Sequence, residues 1–316
     1  MQKRTLGNSG LAIAPLVLGG NVLGWTAPEA MSFKLLDRFV AAGLDAIDTA
    51  DVYSAWVPGH KGGESETVIG NWLKARGGRD KVVIATKVGF DRKDAGKGLA
   101  REHILKNVEA SLARLRTDYI DLYQAHIDDK VTPLEETLAT FQGLIEQGKV
   151  RAIGASNYTA PRFAEALQTS AASKLPRYQS LQPHYNLVER ADYERELQPL
   201  VAKESIGVIP YYALASGFLT GKYRSPADFG KSPRGGGMKR FLNERGLRIL
   251  KALDEVAGSL NATQAQVALA WLMARPTITA PIASATSVEQ LDELIGATRL
   301  KLDADAIKAL DTASAP

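Results

Sequence analysis

The 316-residue chain has no cysteine. Disulfides, thiolate metal sites and a cysteine nucleophile are therefore excluded. Histidine is scarce too, at four residues, and no pair of them has zinc-binding spacing. No apolar run approaches the ~18 residues that would span a bilayer. The opening MQKRTLGNSG lacks the apolar core of a secretion signal, so a cytoplasmic location is expected. Charge of neither sign dominates: 39 Lys and Arg face 35 Asp and Glu, for a net +4. The basic residues form no stripe, so nucleic acid is not an expected partner, while a mild positive balance suits a pocket for a phosphorylated cofactor. Gly19, Gly20 and Gly24 do not have the Gly-x-Gly-x-x-Gly spacing of an open dinucleotide-binding sheet. The segment 217–222 falls one residue short of a Walker phosphate loop, and no Gly-x-Ser-x-Gly elbow precedes a helix.

What is there is a regular alternation. Short apolar, β-branched runs predict strands at 16–18, 46–48, 82–86, 120–124, 150–156, 178–182, 207–211 and 279–282. Amphipathic spacing predicts helices at 32–42, 65–76, 101–115, 134–147, one opened by Pro161, then 192–203, 244–259, 263–274, 287–297 and 303–312. Ser65 is placed as an N-cap and Gly148 as a helix stop. A loop rich in Gly, Ser and Pro covers 213–241, long enough to carry function. Eight strand–helix units in this length favour closure into a (β/α)₈ barrel, one domain over 1–316, over an open doubly wound sheet. Residues 4–13 read as a hairpin that plugs the barrel's lower end.

Barrel chemistry sits where strands end and βα loops begin. Strand two runs into IDTADVY, strand three into ATKVG and strand four into DLYQAH, which places Asp48, Tyr53, Lys87 and His126 on adjacent strand ends. Each has a plain alternative: Asp48 as a turn cap, Tyr53 as a packed aromatic, Lys87 as half of an ion pair, His126 as a loop histidine. Together they fit one chemistry. Reduction of a carbonyl by hydride needs a proton donor as charge grows on oxygen. A tyrosine of ordinary pKa near 10 is a weak acid. A lysine ammonium beside it would favour the phenolate and lower that pKa, a carboxylate would hold the lysine, and a histidine would align the carbonyl oxygen.

These motifs make the chain resemble the aldo-keto reductase superfamily over nearly its whole length. IGASNY, LQPHYN and PYYALASGFLTGKY add to the resemblance. It implies Tyr53 as general acid, tuned by Lys87 and Asp48, with His126 positioning the carbonyl. It implies Ser156, Asn157 and Gln182 on the carboxamide of a nicotinamide, and Tyr211 stacked on its ring. Ala213, Leu214, Ser216, Gly217 and Lys222 would lie along the pyrophosphate. At the adenosine end the family often carries Gly-Ala-Arg and then Glu-Asn. Here the matching positions are Ser284 and Thr286, then Gln290, Glu293 and Leu294. The cofactor implied is NADP(H), with NAD(H) left open because Ser284, Thr286 and Gln290 are neutral donors. Lys231, Arg234, Lys239 or Arg240 of the long loop are candidate cations for a 2′-phosphate. Trp25, Trp56, Phe90 and Tyr185 follow strand ends and are expected to line a pocket for a small carbonyl or alcohol substrate. The alternative is a cofactor-binding regulatory subunit with little turnover, since fold does not settle function.

Overall fold

The structure, a computed structural model, describes residues 2–92, 95–232 and 235–316. A two-stranded antiparallel hairpin, β1 (Arg4–Thr5) and β2 (Ala12–Ile13), precedes eight parallel strands. These are β3 (Val17–Gly19), β4 (Ala46–Asp48), β5 (Val83–Val88), β6 (Ile120–Ala125), β7 (Val150–Ser156), β8 (Ser180–Gln182), β9 (Gly207–Val208) and β10 (Ile282–Ala283). They run in the order β10-β3-β4-β5-β6-β7-β8-β9. The ends of that order meet. The Thr279 amide donates to the Val208 carbonyl at 2.8 Å and the Ile282 amide to that of Pro210 at 2.9 Å. The sheet is thereby a closed (β/α)₈ barrel.

The intervening helices are α1 (Glu29–Ala41), α2 (Glu64–Arg76), α3 (Arg101–Leu115), α4 (Leu134–Glu146), α5 (Ala160–Ser173), α6 (Gln198–Lys203), α7 (Glu244–Ser259), α8 (Gln264–Met273), α9 (Val288–Ala297) and α10 (Ala304–Ala313). Their boundaries follow local chemistry. The Thr159 side chain caps α5, whose first turn carries Pro161. Thr263 and Gln266 form a reciprocal capping box on α8. Gly148 follows α4 at φ +72°. Ser65 is not the cap of α2. The helix starts one residue earlier after left-handed Gly63, and the Ser65 hydroxyl donates to the Gly20 carbonyl at 2.7 Å instead. Segment 213–241 is not featureless, for it contains three short 3₁₀ turns. Among the described residues no helix is long and apolar enough to cross a membrane.

Inside the barrel, side chains alternate with period two. The inward set begins apolar. Val17, Ala46, Ala85, Leu122 and Ala152 pack on Leu6, Leu11 and Ile13 of the hairpin, so the hairpin plugs that end. Two residues further along, the inward positions turn polar: Asp48 follows Ala46, Lys87 follows Ala85, Gln124 follows Leu122. The strand register brings these neighbours side by side, Lys87 opposite Gln124 and Ser156 opposite Gln182. The outward positions, such as Ile47, Ile84 and Ile153, join the larger core beneath the helices. Gly154 must be glycine for space: a Cβ there would lie 2.2 Å from the Ser180 hydroxyl and 3.2 Å from the Gln124 stem.

Candidate active site

The polar end of the barrel is organised around a buried ion pair. Lys87, fully buried in β5, donates from Nζ to Asp48 Oδ2 at 2.7 Å, to the Thr49 carbonyl at 2.8 Å and to the Tyr53 hydroxyl at 2.8 Å. All three ammonium protons are thus used, as a buried charge requires. The other carboxylate oxygen of Asp48 accepts from Gln182 Nε2 at 2.9 Å. Gln124 Nε2 lies 3.5 Å from that oxygen, too far to hold it alone.

Because Lys87 donates to Tyr53, the phenol oxygen serves as acceptor and its own proton is free to point elsewhere. In the resting geometry it points to Asp48 Oδ2 at 3.2 Å. Burial, reinforced by the Asp48 charge, pushes the Tyr53 phenol well above its ordinary value. This corrects the expectation that Lys87 lowers it. The ammonium does favour phenolate, but in the resting site desolvation and the carboxylate outweigh it. Burial draws the Lys87 ammonium below its ordinary value, with Asp48 opposing.

His126 follows β6, its amide donating to the Val88 carbonyl at 2.9 Å. Its ring lies 6.1 Å from that of Tyr53. Burial, and then the positive charge of Lys87, hold the imidazole pKa well below the usual range. The ring is neutral at physiological pH, and its buried Nδ1 has no hydrogen-bond partner among the described residues.

The polar chain continues across β7 and β8. Ser156 Oγ donates to the Gln182 carbonyl at 2.9 Å. Asn157 stands at φ +60°, a conformation asparagine tolerates, and its Nδ2 donates to the His126 carbonyl at 2.9 Å. Its Oδ1 accepts the Tyr211 hydroxyl at 2.9 Å. One face of the Tyr211 ring is covered by His184, stacked at 5.3 Å and 14°. Gln182 Oε1 accepts nothing among the described residues, and Asn157 Oδ1 keeps a second lone pair, so both can take the N–H groups of a carboxamide.

After Tyr211 the chain turns sharply. Ala213 is buried, Leu214 half-buried, and Ala215, Ser216 and Gly217 all have positive φ. A Cβ on Gly217 would meet the Lys222 ammonium at 3.6 Å. That ammonium packs over the Tyr223 ring at 5.2 Å and has no carboxylate partner among the described residues. An unneutralised cation beside a left-handed turn fits a phosphate. At the start of α9, Ser284 Oγ donates to Asn21 Oδ1 at 2.6 Å, and Gln290 Oε1 accepts from both the amide and the hydroxyl of Thr286. The Glu293 carbonyl accepts from Gln266, while Leu294 is buried in the core and offers nothing to a ligand. Of the loop cations, Lys231 is paired with Asp228 at 2.7 Å and Arg240 lies over Phe241. Lys239 is exposed, and Arg234 lies outside the described residues.

Trp25, Trp56 and Phe90 gather round Tyr53 and His126, with Phe90 4.9 Å from the His126 ring and Trp56 6.1 Å from that of Tyr53. Tyr185 does not. It is fully buried, donates to Glu194 at 2.7 Å and packs on Tyr193 and Trp271. Period-two alternation past Gln182 is the reason: His184 takes the side facing the site and Tyr185 the side facing the helices. Gln124 and His184 were missed by motif reasoning. A polar residue inside a buried strand was the available signal for Gln124. For His184 the period of the strand carried it.

The chain matches the aldo/keto reductase family over residues 15–315. It belongs to that family. It is 34% identical over 320 residues to the uncharacterized oxidoreductase YrpG of Bacillus subtilis, covering 98% of this chain and 95% of that protein. It is 34% identical to the aldo-keto reductase AFTS1 of Alternaria alternata, over 98% of this chain and 91% of the relative. With versiconal hemiacetal acetate reductase of Aspergillus parasiticus it shares 30% identity over 100% and 98% of the two chains. The chain is accordingly an oxidoreductase of the aldo-keto reductase family, whose members generally use NAD(P)H.

Proposed function

We propose that this protein reduces a small aldehyde or ketone, or oxidises the corresponding alcohol, with NADP(H) as cofactor and Tyr53 as general acid. The observation that carries the reading is the Lys87 ammonium, 2.8 Å from the Tyr53 hydroxyl and 2.7 Å from Asp48. The bound cofactor supplies the hydride. The chain supplies the rest. Asn157 and Gln182 offer acceptors to the carboxamide, and Tyr211, backed by His184, offers a flat ring face. Lys222 offers charge to a phosphate.

The neutral His126 ring donates one N–H to the carbonyl oxygen and so places it beside Tyr53. In the resting site the phenol keeps its proton, since burial and Asp48 hold its pKa up. As charge grows on the substrate oxygen, the Tyr53 proton swings from Asp48 to that oxygen. The phenolate left behind is met by the ammonium already in place, with no reorganisation required. In the alcohol direction the same pair accepts the proton.

The preference for NADP(H) over NAD(H) is supported by Lys239, an exposed candidate cation for the 2′-phosphate with no carboxylate partner among the described residues. Titrating the protein's fluorescence with NADPH and with NADH tests it. Tighter binding of NADPH is expected. Equal affinities would overturn the preference, and binding of neither would overturn the reading.

A further inference from the structure

The Tyr211 ring is held on three sides. Its hydroxyl donates to Asn157 Oδ1 at 2.9 Å, Tyr212 meets it edge-on at 5.2 Å, and the imidazole of His184 covers one face at 5.3 Å and 14°. The stack leaves the opposite face to a ligand. The backbone carries the two rings side by side. His184 and Tyr211 form a parallel bridge, and the Tyr211 amide donates to the Pro183 carbonyl at 3.0 Å.

The neighbour of His184 fixes its charge state. Asn186 is fully buried, and three backbone groups orient its amide. Oδ1 accepts the amides of Val188 at 2.8 Å and Glu189 at 3.0 Å, and Nδ2 donates to the Tyr212 carbonyl at 3.0 Å. The remaining proton of Nδ2 is therefore presented to His184 Nε2, 3.4 Å away. A neutral imidazole can accept there. An imidazolium has donors only and cannot. Burial also draws the imidazole pKa below its ordinary value, with Glu189 opposing and Arg240 adding to the fall.

Resting on the reductase reading above, we propose that His184 is a positioning residue that sets the protein's relative affinity for oxidised and reduced cofactor. The nicotinamide ring is a cation when oxidised and neutral when reduced. A tyrosine face attracts a cation placed over it, and the attraction belongs to the face, not the edge. His184 keeps that face presented. Without the imidazole, Tyr211 is held by its hydroxyl and one edge contact, and the ring can tip. The reduced ring then loses packing alone. The oxidised ring loses packing and the charge attraction together. A cation at position 184 would be worse still, since it sets a second positive charge behind the same ring. The neutral state that Asn186 imposes is thus the state that admits a cationic ligand ring.

The test measures dissociation constants for NADP⁺ and NADPH by fluorescence titration at pH 7, in wild type, His184→Ala, His184→Phe and His184→Arg. A thermal melt checks that each variant folds. Both cofactors carry the same 2′-phosphate and pyrophosphate, so their ratio isolates the nicotinamide end. The ratio of the NADP⁺ to the NADPH dissociation constant is expected to rise at least about threefold in His184→Ala, the scale of a weak cation–π contact. It is expected to rise as much or more in His184→Arg, and to stay within about twofold of wild type in His184→Phe, whose flat ring restores the stack. A merely structural part for His184 predicts that both constants rise together. A ratio unmoved in His184→Ala and His184→Arg therefore overturns the inference while leaving the reductase reading intact. Binding of neither cofactor by wild type overturns the reductase reading and this inference with it.

Discussion

At the scale of single residues, the site is a problem in keeping buried charge satisfied. Lys87 and Asp48 are both buried, and each holds the other in place. Lys87→Met would leave the Asp48 carboxylate buried without its counter-ion, a change that typically costs about 3–5 kcal/mol. Urea denaturation of the variant is expected to show that loss, and Asp48→Asn added to it is expected to recover part of the stability. Asp51, between them in the sequence, is a different case. It is fully buried, neither of its oxygens has a hydrogen-bond partner among the described residues, and the nearest guanidinium, Arg92, is 3.9 Å away. Burial first, then the charge of Glu66, raises its pKa to about 7. The unfolded chain loses that proton near the ordinary 3.8, whereas the native protein keeps it to about 7. Stability is therefore lost as pH rises from about 4 to 7, by at most about 1.4 kcal/mol for each pH unit crossed. Asp51→Asn removes that dependence. The variant is expected to gain on wild type between pH 4.5 and pH 8 by a few kcal/mol in denaturation experiments, and an unchanged difference would contradict it. Asp48, Tyr53, Lys87 and His126 were legible because polar residues at strand ends are conspicuous in apolar surroundings. The state of Asp51 was not, since whether a carboxylate finds a partner depends on loops that fold back from elsewhere.

At the scale of elements, what matters is the two-residue step. In β4, β5 and β6 an apolar inward residue is followed two positions later by a polar one. That pattern is visible in the sequence, as is the helix between each pair of strands. Exact ends were less visible. β9 and β10 are two residues each, because closure relies on bonds from Thr279 and Ile282 outside the ladder. α2 begins at a glycine turn rather than at a serine cap because Ser65 is pulled inward to Gly20. Tyr185 was assigned to the pocket by proximity in the chain, where alternation places it on the opposite side. The small inward residues are equally constrained. Gly154→Val would push on Ser180 and Gln124. Overpacking of this kind costs about 1–3 kcal/mol, and because Ser156 and Gln182 lie on the same two strands, weaker NADPH binding is expected alongside, read by fluorescence titration.

At the scale of the whole molecule, the barrel has a structural end and a chemical end. Leu6, Leu11 and Ile13 close the first, and the Asp48–Lys87–Tyr53 cluster occupies the second. Leu6→Ala is expected to cost about 2–5 kcal/mol while changing kcat/KM little, so denaturation and turnover should separate cleanly. The fold and this division of labour followed from eight alternating units and an amino-terminal hairpin. Trp25, Trp56 and Phe90 were expected around the site, but how their rings meet was not legible, since the contacts are made by loops whose courses no local pattern dictates. The most direct test of the account is single-turnover oxidation of bound NADPH by an aldehyde in wild type and in Tyr53→Phe. The phenylalanine ring keeps the packing and loses only the proton donor. A fall of about 10²–10⁴ in rate, with NADPH still bound, is the predicted result. Equal rates in the two proteins would contradict Tyr53 as the acid.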